Sequence, residues 1–229
     1  TFSLSRVVEK MMMKSSKIDE SYLLLKKWWE QIKITNYEKR TLNKEIISFN
    51  QQLIRLKEKH LRIGVFGKAG VGKSSILNLI INENFFTTGI LNGSTKTHRS
   101  KELTFKQRNL KKIELIDYPG FDVCAGVETK KDVIDTNDLD LILFITAGDL
   151  NRNEVKSLHN FINNGKKVLI ILNKTDLWKE FEIENIVNNI KQKIPEYVSI
   201  PIIKNSNKFI KKQTQKCEFI NYLNDSIDK

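Results

Sequence analysis

Apolar residues in the first 60 positions recur at the spacing of amphipathic helices. One stripe has steps of four, three, four and three residues and comprises Ile18, Tyr22, Leu25, Trp29 and Ile32. A second stripe has the same steps and comprises Leu42, Ile46, Phe49, Leu53 and Leu56. Between them, Thr35 and Glu38 have the spacing of a capping box, in which each side chain satisfies a free amide at a helix start. The pattern predicts a helical hairpin over residues 1–59, with its two helices joined near residues 33–36.

The apolar pattern changes after residue 59 to short runs separated by helical stretches. Strands are predicted at residues 61–66, 101–107, 112–116, 139–145, 167–172 and 199–203. Helices are predicted at residues 75–82, 153–163, 181–194 and 217–227. Strands that alternate with helices indicate a mainly parallel sheet covered on both faces. We therefore expect a three-layer α/β domain over residues 60–229, preceded by the helical hairpin.

A phosphate-binding loop is predicted where the first of these strands ends. Residues 67–74 match the pattern G-x-x-x-x-G-K-S between a strand and a helix. Glycines let backbone amides approach phosphate oxygens, and the helix start adds positive potential. Lys73 is expected to reach the β- and γ-phosphates, and the Ser74 hydroxyl is expected to bind Mg²⁺. The expected phosphate contacts are Gly67, Lys68, Ala69, Gly70, Val71, Gly72, Lys73, Ser74 and Ser75.

A second motif, D-x-x-G, occupies residues 117–120, directly after a predicted strand and 43 residues beyond Ser74. Asp117 is expected to hold the Mg²⁺ ion through a water molecule. The amide of Gly120 is expected to contact the γ-phosphate and to sense its loss. Asp117 and Gly120 together would make this segment respond to whether the γ-phosphate is present.

A third motif, N-K-x-D, occupies residues 173–176 after the strand predicted at 167–172. The Asp176 carboxylate can accept two hydrogen bonds from the N1 and N2 groups of guanine. Adenine has no matching pair of donors, so its binding would leave buried groups unpaired. Asn173 and Lys174 are expected to brace the loop and cover the base.

Together the three motifs resemble those of the GTPase superfamily that includes Ras, elongation factors and Era. The sequence around Gly72–Asn78 and the Asp-Tyr-Pro-Gly-Phe form of residues 117–121 are most similar to the Era-like (TrmE–Era) branch. The resemblance covers about residues 61–208. It implies a Ras-like P-loop fold with a six-stranded sheet, GTP and GDP as ligands, Mg²⁺ as the metal, and GTP hydrolysis. The hairpin lies outside it and is loosely similar to the flanking helices of membrane-associated and dynamin-like GTPases.

The same resemblance implies further site residues. A threonine of the first switch should close over Mg²⁺ in the GTP state and act in catalysis together with Lys73. Thr97 is preferred because the Thr-His-Arg sequence resembles the end of the Era switch, and Thr95 is the alternative. The family motif S-A-K is echoed at residues 206–208, where the backbone near Ser206 or Asn207 is expected to contact the guanine oxygen.

Two positions depart from the family pattern. Ras-like enzymes orient the attacking water with a Gln just after D-x-x-G, whereas this chain has Phe121 there. Some Era-like relatives bind potassium through an Asn of the phosphate loop, and this chain has Gly70 at that position. Because of Phe121, intrinsic hydrolysis is expected to be slow, with a partner protein, a dimer or another group completing the site. Because Gly70 has no side-chain ligand, activation by potassium is not expected.

Charge points to an anionic partner. The net charge of the 229-residue chain is +12, and residues 1–60 hold 13 Lys and Arg against 7 Asp and Glu. This excess favours a membrane surface or RNA as a partner of the hairpin, and a Lys-rich solvated surface is the alternative. No apolar run has the roughly 18 residues needed to cross a bilayer, and no secretory signal is seen. The expected location is cytoplasmic, with peripheral membrane association left open.

Three functions remain open from the sequence. The first is a slow GTPase switch that acts with an unknown effector or activating protein. The second is a dynamin-like GTPase on a membrane that assembles through the hairpin, with dimerisation on GTP binding. The third is a guanine nucleotide-binding scaffold that hydrolyses GTP weakly and has RNA or the ribosome as its partner.

Overall fold

The computed structural model describes residues 15–81, 83–86, 99–104, 111–120, 136, 138–196 and 198–206. The helices are α1 (Ser15–Gln31), α2 (Asn36–Thr41), α3 (Asn43–Glu58), α4 (Lys73–Ile81), α5 (Arg152–Asn163) and α6 (Glu180–Gln192). The strands are β1 (His60–Gly67), β2 (Arg99–Thr104), β3 (Lys112–Asp117), β4 (Leu141–Thr146), β5 (Val168–Leu172) and β6 (Ile202–Lys204). A single 3₁₀ turn at Thr175–Leu177 follows β5. The helix predicted at residues 217–227 lies outside the described residues.

The six strands form one sheet in the order β2-β3-β1-β4-β5-β6. Strand β2 is antiparallel to β3, and every other neighbouring pair is parallel. The prediction of a mainly parallel six-stranded sheet is confirmed. The chain runs from β1 to β2 and β3 on one side, and then crosses to β4 on the other side of β1, so the direction of the connections reverses at β1. Such a point creates a crevice at the carboxyl ends of the strands, where α/β proteins bind ligands.

Alternate residues of the central strands fill two separate cores. Val65, Leu143 and Ile171 face the layer that contains α4, with Ile76 and Leu77 of that helix packed against them. The opposite face holds Phe66, Phe144 and Ile170, covered by α5 and α6 through Leu158, Phe161, Ile186 and Ile190. All residues of β4 and β5 are buried, as expected for parallel strands covered on both faces. The rigid three-layer arrangement fixes the loops at the strand ends.

The N-terminal region is helical, but its second half differs from the prediction. The capping box is present: the Glu38 amide donates to the Thr35 hydroxyl, and the Glu38 carboxylate accepts from the Thr35 amide. The single helix predicted beyond it is divided into α2 and α3 at Leu42. The Thr41 hydroxyl donates to the carbonyl of Tyr37, a local bond that competes with the regular helical pattern. Among the described helices, none combines the length and the apolar character needed to cross a bilayer.

Arg55 of α3 attaches the hairpin to the sheet. Its buried guanidinium donates to the carbonyl of Asp138 at 3.0 Å and lies 3.7–3.8 Å from the carboxylates of Asp138 and Asp140. Asp140 also accepts a hydrogen bond from the backbone amide of Arg62 at the start of β1. Burial raises the pKa of Asp140, and the Arg62 amide and Arg55 partly offset that rise. The hairpin therefore contacts the amino-terminal end of the sheet.

Replacing Arg55 with Ala should lower the free energy of unfolding by about 1–3 kcal/mol at neutral pH. This is below the usual cost of breaking a fully buried ion pair because both carboxylates are partly exposed. Ionised Asp140 lowers the stability of the folded chain because its carboxylate is largely removed from water. This destabilisation disappears as the pH falls through the raised pKa of Asp140. The decrease in the free energy of unfolding caused by Arg55→Ala should therefore be smaller at acidic pH. Urea denaturation at several pH values measures it, with the exposed Lys57→Ala change on the same helix as the control.

Candidate nucleotide-binding site

The phosphate loop lies between the end of β1 and the start of α4. The ammonium group of Lys73 is buried and donates to the carbonyls of Gly67 at 3.2 Å and Lys68 at 3.0 Å. These bonds hold the lysine within the loop, over the start of α4, where its first backbone amides are free of intrahelical partners. Ser74 and Ser75 occupy the first turn of the same helix. A lysine and a helix start at one point form a receptor for phosphate groups.

Gly72 brings the phosphate loop against the N-K-x-D loop. Its φ of +98° lies in the region that favours glycine, and an added Cβ would come within 2.4 Å of Asn173 Nδ2. The same Nδ2 donates to the carbonyl of Val71 at 2.8 Å. Lys174 makes a second bridge, donating from Nζ to the carbonyl of Gly70 at 2.8 Å. The structure thus joins the expected phosphate-binding and base-binding segments directly.

Ser74 and Asp117 meet at the ends of α4 and β3. The Ser74 hydroxyl donates to Asp117 Oδ2 at 2.6 Å, while Asp117 Oδ1 is buried without a hydrogen-bond partner among the described residues. Burial raises the pKa of Asp117, and the Ser74 hydroxyl, Lys73 and Arg99 partly offset that rise. An unpaired carboxylate oxygen beside a hydroxyl fits a hard divalent cation. Mg²⁺ commonly takes one or two protein oxygens and completes its shell with water and phosphate.

Gly120 places the end of the D-x-x-G motif against the phosphate loop. A Cβ added at Gly120 would lie 2.5 Å from the backbone nitrogen of Ala69. Only glycine fits this approach without displacing the loop. The contact puts Gly120 beside the loop that would hold the terminal phosphates, in agreement with its expected position.

The base-reading loop is fixed by buried polar contacts. Asn173 is fully buried. Its backbone N–H donates to the carbonyl of Thr146, at the end of β4, over 2.7 Å. Asp176 stands in the 3₁₀ turn that follows, and one of its carboxylate oxygens accepts from the Ser206 hydroxyl at 3.2 Å. Ser206 therefore orients the carboxylate expected to read guanine. Its backbone role toward the base stays a prediction.

Asn205 is a functional candidate that the sequence reasoning missed. Its Nδ2 donates to Asn173 Oδ1 at 2.8 Å, and its amide donates to the carbonyl of Leu172 at 2.8 Å. Its carbonyl accepts from both the amide and the hydroxyl of Thr175, at 3.1 and 3.0 Å. Asn205 thus ties β6 to both sides of the base-reading loop. Its position directly before the echo of S-A-K was the available signal.

Replacing Asn205 with Ala should weaken GTP and GDP binding by about tenfold each. The reason is that the side-chain oxygen of buried Asn173 loses its partner, and a buried acceptor left unpaired costs about 1–3 kcal/mol. Equal losses for the two nucleotides are expected because the γ-phosphate lies elsewhere. Titration with fluorescent nucleotides measures both affinities, and the neighbouring exposed Lys204→Ala change is the control. A loss confined to GTP would contradict this role.

Several expected site residues lie outside the described part of the chain. These are Thr95 and Thr97 of the first switch, and Asn207 after β6. Phe121, which takes the place of the catalytic Gln, is outside it as well. The roles assigned to them remain predictions from the sequence. Every other predicted site residue lies along the carboxyl edge formed by β1, β3, β5 and β6.

Comparison with protein families and curated proteins identifies relatives of the domain that carries this edge. A family described as 50S ribosome-binding GTPase matches residues 62–174. GTPase Der of Rickettsia typhi is 28% identical over 156 residues, which cover 62% of this chain and 34% of that protein. GTPase Der of Rickettsia felis is 27% identical over 161 residues, which cover 65% of this chain and 35% of that protein. The chain spans about a third of the length of these curated relatives.

Solved structures show the same fold. Era of Aquifex aeolicus bound to GDP and aluminium fluoride is 21% identical, with a TM-score of 0.51, and the match covers 71% of this chain and 56% of that one. Toc33 of Arabidopsis thaliana is 14% identical, with a TM-score of 0.53, and the match covers 82% of this chain and 92% of that one. The matched family and the three motifs show a P-loop GTPase domain over residues 62–174, and the solved structures share its Era-like fold.

Proposed function

We propose that this chain binds GTP and GDP with Mg²⁺, hydrolyses GTP slowly and acts as a molecular switch. The observation that carries the proposal is the direct junction of its loops. Asn173 of the base-reading loop donates to Val71 of the phosphate loop, and the Ser74–Asp117 pair stands at the opening of the following helix. One nucleotide could therefore contact all three motifs at once.

Each group has a defined part in this proposal. The Asp176 carboxylate accepts from the guanine edge, while Ser206 and Asn205 hold the loop in place. Lys73 and the amides of the phosphate loop neutralise the charge of the phosphates. Ser74 and Asp117 would hold Mg²⁺, which supplies charge stabilisation at the phosphoryl group when bound. Gly120, close to Ala69, would report the presence of the γ-phosphate to the residues that follow it.

Slow hydrolysis is the expected consequence of Phe121. A phenyl ring cannot donate to or accept from the attacking water, so the reaction lacks the orienting group that Ras-like enzymes use. We expect an activating protein or a second copy of the chain to supply it. A switch acts through differential binding of two states, so an effector that prefers the GTP form is also expected.

Nucleotide binding and turnover measured with the purified chain test this proposal. Labelled GTP and GDP should bind in the presence of Mg²⁺, ATP should not compete, and phosphate release should be slow. Lys73→Ala should abolish turnover, whereas Lys68→Ala, which removes only an exposed side chain of the same loop, should keep it. Equal binding of ATP and GTP would overturn the guanine assignment, and fast turnover without a partner would overturn the expected role of Phe121.

Ribosomal RNA is the second candidate partner. The matched family is described as ribosome-binding, and one Era structure of the same fold contains a fragment of 16S ribosomal RNA. Under this alternative the chain is a weakly hydrolysing scaffold. Turnover measured with and without ribosomal RNA separates the two functions, because a scaffold should bind RNA without a change in the rate of phosphate release.

A further inference from the structure

The hairpin contains an open apolar groove that none of the described elements covers. A cavity of about 520 Å³ lies where α1, α2 and α3 meet. The charged residues that line it are Lys33, Glu38 and Glu45. Most of its wall is apolar and is formed by Trp28, Trp29, Ile32, Ile34, Leu42, Ile46 and Phe49. The ring centroids of Trp29 and Phe49 lie 4.7 Å apart, and those of Trp28 and Phe49 lie 6.1 Å apart. These rings pack α1 against α3 along one wall of the groove.

The apolar surface extends from the groove along the outside of the hairpin. Leu24 is 64% exposed, Trp28 is 55% exposed and Leu42 is 45% exposed. Leu23, Tyr37 and Ile47 are also exposed. No described side chain of α1 or α2 is buried. Trp28 and Leu42 line the groove, and Leu24 lies one helical turn before Trp28, so these exposed side chains adjoin it. An exposed apolar patch of this kind marks a site of interaction with a protein or a membrane.

Basic residues border the same surface. Residues 23–47 contain the six basic residues Lys26, Lys27, Lys33, Lys39, Arg40 and Lys44. The same span contains three acidic residues, of which Glu30 pairs with Lys26 and Glu38 caps α2. Six basic residues against the three acidic residues Glu30, Glu38 and Glu45 leave this span with a net charge of +3.

The apolar and basic side chains together favour one of three possible binding partners of this surface. A second copy of the hairpin would bring a second positive surface into contact with the first, which opposes pairing. RNA recognition relies on aromatic rings that stack on bases, whereas most of the exposed apolar side chains here are aliphatic. An anionic lipid surface accepts all of them: Leu and Ile at the acyl boundary, Trp and Tyr at the headgroups, and Lys and Arg against lipid phosphates.

We propose that the hairpin docks on an anionic lipid membrane through the groove between α1 and α3 and the basic residues beside it. The inference stands independently of the nucleotide site, because the groove residues belong to the N-terminal helices. It gives the chain a peripheral attachment that requires no membrane-spanning helix.

Sedimentation of the whole chain with vesicles tests the proposal. The chain should bind vesicles that contain phosphatidylglycerol, bind pure phosphatidylcholine poorly, and release on addition of salt. Leu24→Ser with Trp28→Ser should weaken binding at least about tenfold through lost apolar contact. Lys27→Gln with Lys33→Gln should weaken it about 25-fold, since each basic residue near an anionic surface contributes a factor of about five.

Matched changes elsewhere on the chain serve as controls. Phe181→Ser removes an exposed aromatic residue of α6, and Lys156→Gln with Lys191→Gln removes two exposed charges outside the hairpin. Both should leave vesicle binding unchanged. Because Trp28 contacts Phe49, Leu23→Ser with Leu24→Ser provides a second apolar variant that leaves the aromatic cluster intact. Circular dichroism and GTP binding confirm that each variant is folded.

Three results would overturn the proposal. In the first, wild-type chain stays in the supernatant with anionic vesicles. In the second, the hairpin variants and the control variants bind vesicles equally well. In the third, the hairpin changes abolish binding to a labelled RNA or abolish a dimer seen by analytical centrifugation, while vesicle binding persists; the groove would then serve RNA or self-association.

Discussion

Replacing Asp176 with Asn is expected to weaken GTP binding by about 10²–10⁴-fold. The wild-type carboxylate can accept from two guanine donors, and each charge-assisted bond contributes about 1.5–3 kcal/mol. An amide offers one acceptor and one donor group, so one guanine N–H would face another N–H. The Ser206 hydroxyl, which donates to Asp176 in the structure, would retain an acceptor in the amide oxygen. The loss should therefore arise from the base rather than from collapse of the loop.

Xanthine nucleotide provides the test of that attribution. Xanthine carries a carbonyl where guanine carries its 2-amino group, so the Asn amide can donate to one group and accept from the other. Asp176→Asn should therefore bind xanthosine triphosphate better than GTP, whereas the wild type should show the reverse preference. Competition titrations with both nucleotides measure the switch, and Asp19→Asn, at an exposed carboxylate of α1, is the control. Loss of both nucleotides would assign Asp176 a structural role.

Replacing Asp117 with Asn should lower Mg²⁺-dependent GTP turnover by about 10²-fold or more without destabilising the nucleotide-free chain. The carboxylate is the charged partner for the cation, and removing one electrostatic stabiliser of this kind costs about 3–4 kcal/mol at the transition state. Yet burial raises the pKa of Asp117, so its ionised form is already costly in the absence of metal. An amide of the same shape avoids that cost. Turnover assays and urea denaturation measure the two effects separately.

The pH dependence gives a second signature of Asp117. Because its pKa is raised on folding, the metal-free wild type gains stability as the pH falls through that raised value and loses it as the pH rises. Mg²⁺ affinity should change in the opposite direction, since protonation removes the charge that the cation needs. The difference between wild type and Asp117→Asn isolates both trends. Glu102→Gln, at an exposed carboxylate on β2, should produce neither.

The sheet was predictable because its signals are local and strong. Buried parallel strands such as β4 and β5 appear in the sequence as short continuous apolar runs. Strand ends were less accurate: the last strand was predicted at residues 199–203 and observed at Ile202–Lys204. The observed strand is defined by its hydrogen bonds to β5. The apolar residues that predicted the strand begin earlier, in the segment before it. The division of the second helix at Leu42 was not predicted because the helical spacing of apolar residues continues through it. The hydrogen bond of the Thr41 side chain leaves no trace in that spacing.

The site was predictable as a set of motifs, but its internal connections were not. The sequence assigned Asn173 to a bracing role because of its place in N-K-x-D. It could not show that Asn173 Nδ2 reaches the carbonyl of Val71, 102 residues earlier in the chain. It also could not show the contact of Asn205 with Asn173, which exists only because β6 lies beside β5. Such contacts follow from strand order, which is a property of the whole fold.

The attachment of the hairpin at Arg55 has a consequence for catalysis. Arg55 contacts Asp140, which accepts from the backbone amide of Arg62, whereas the phosphate loop starts at Gly67, five residues further along β1. At about 3.3 Å per residue this separation is roughly 17 Å, beyond the reach of an arginine side chain. The hairpin of the same molecule therefore cannot deliver an arginine finger to the γ-phosphate through Arg55. A chain seated on a bilayer by its hairpin would keep the opposite end of the sheet, with its reacting phosphate, turned toward the water and accessible to an activator arriving from solution.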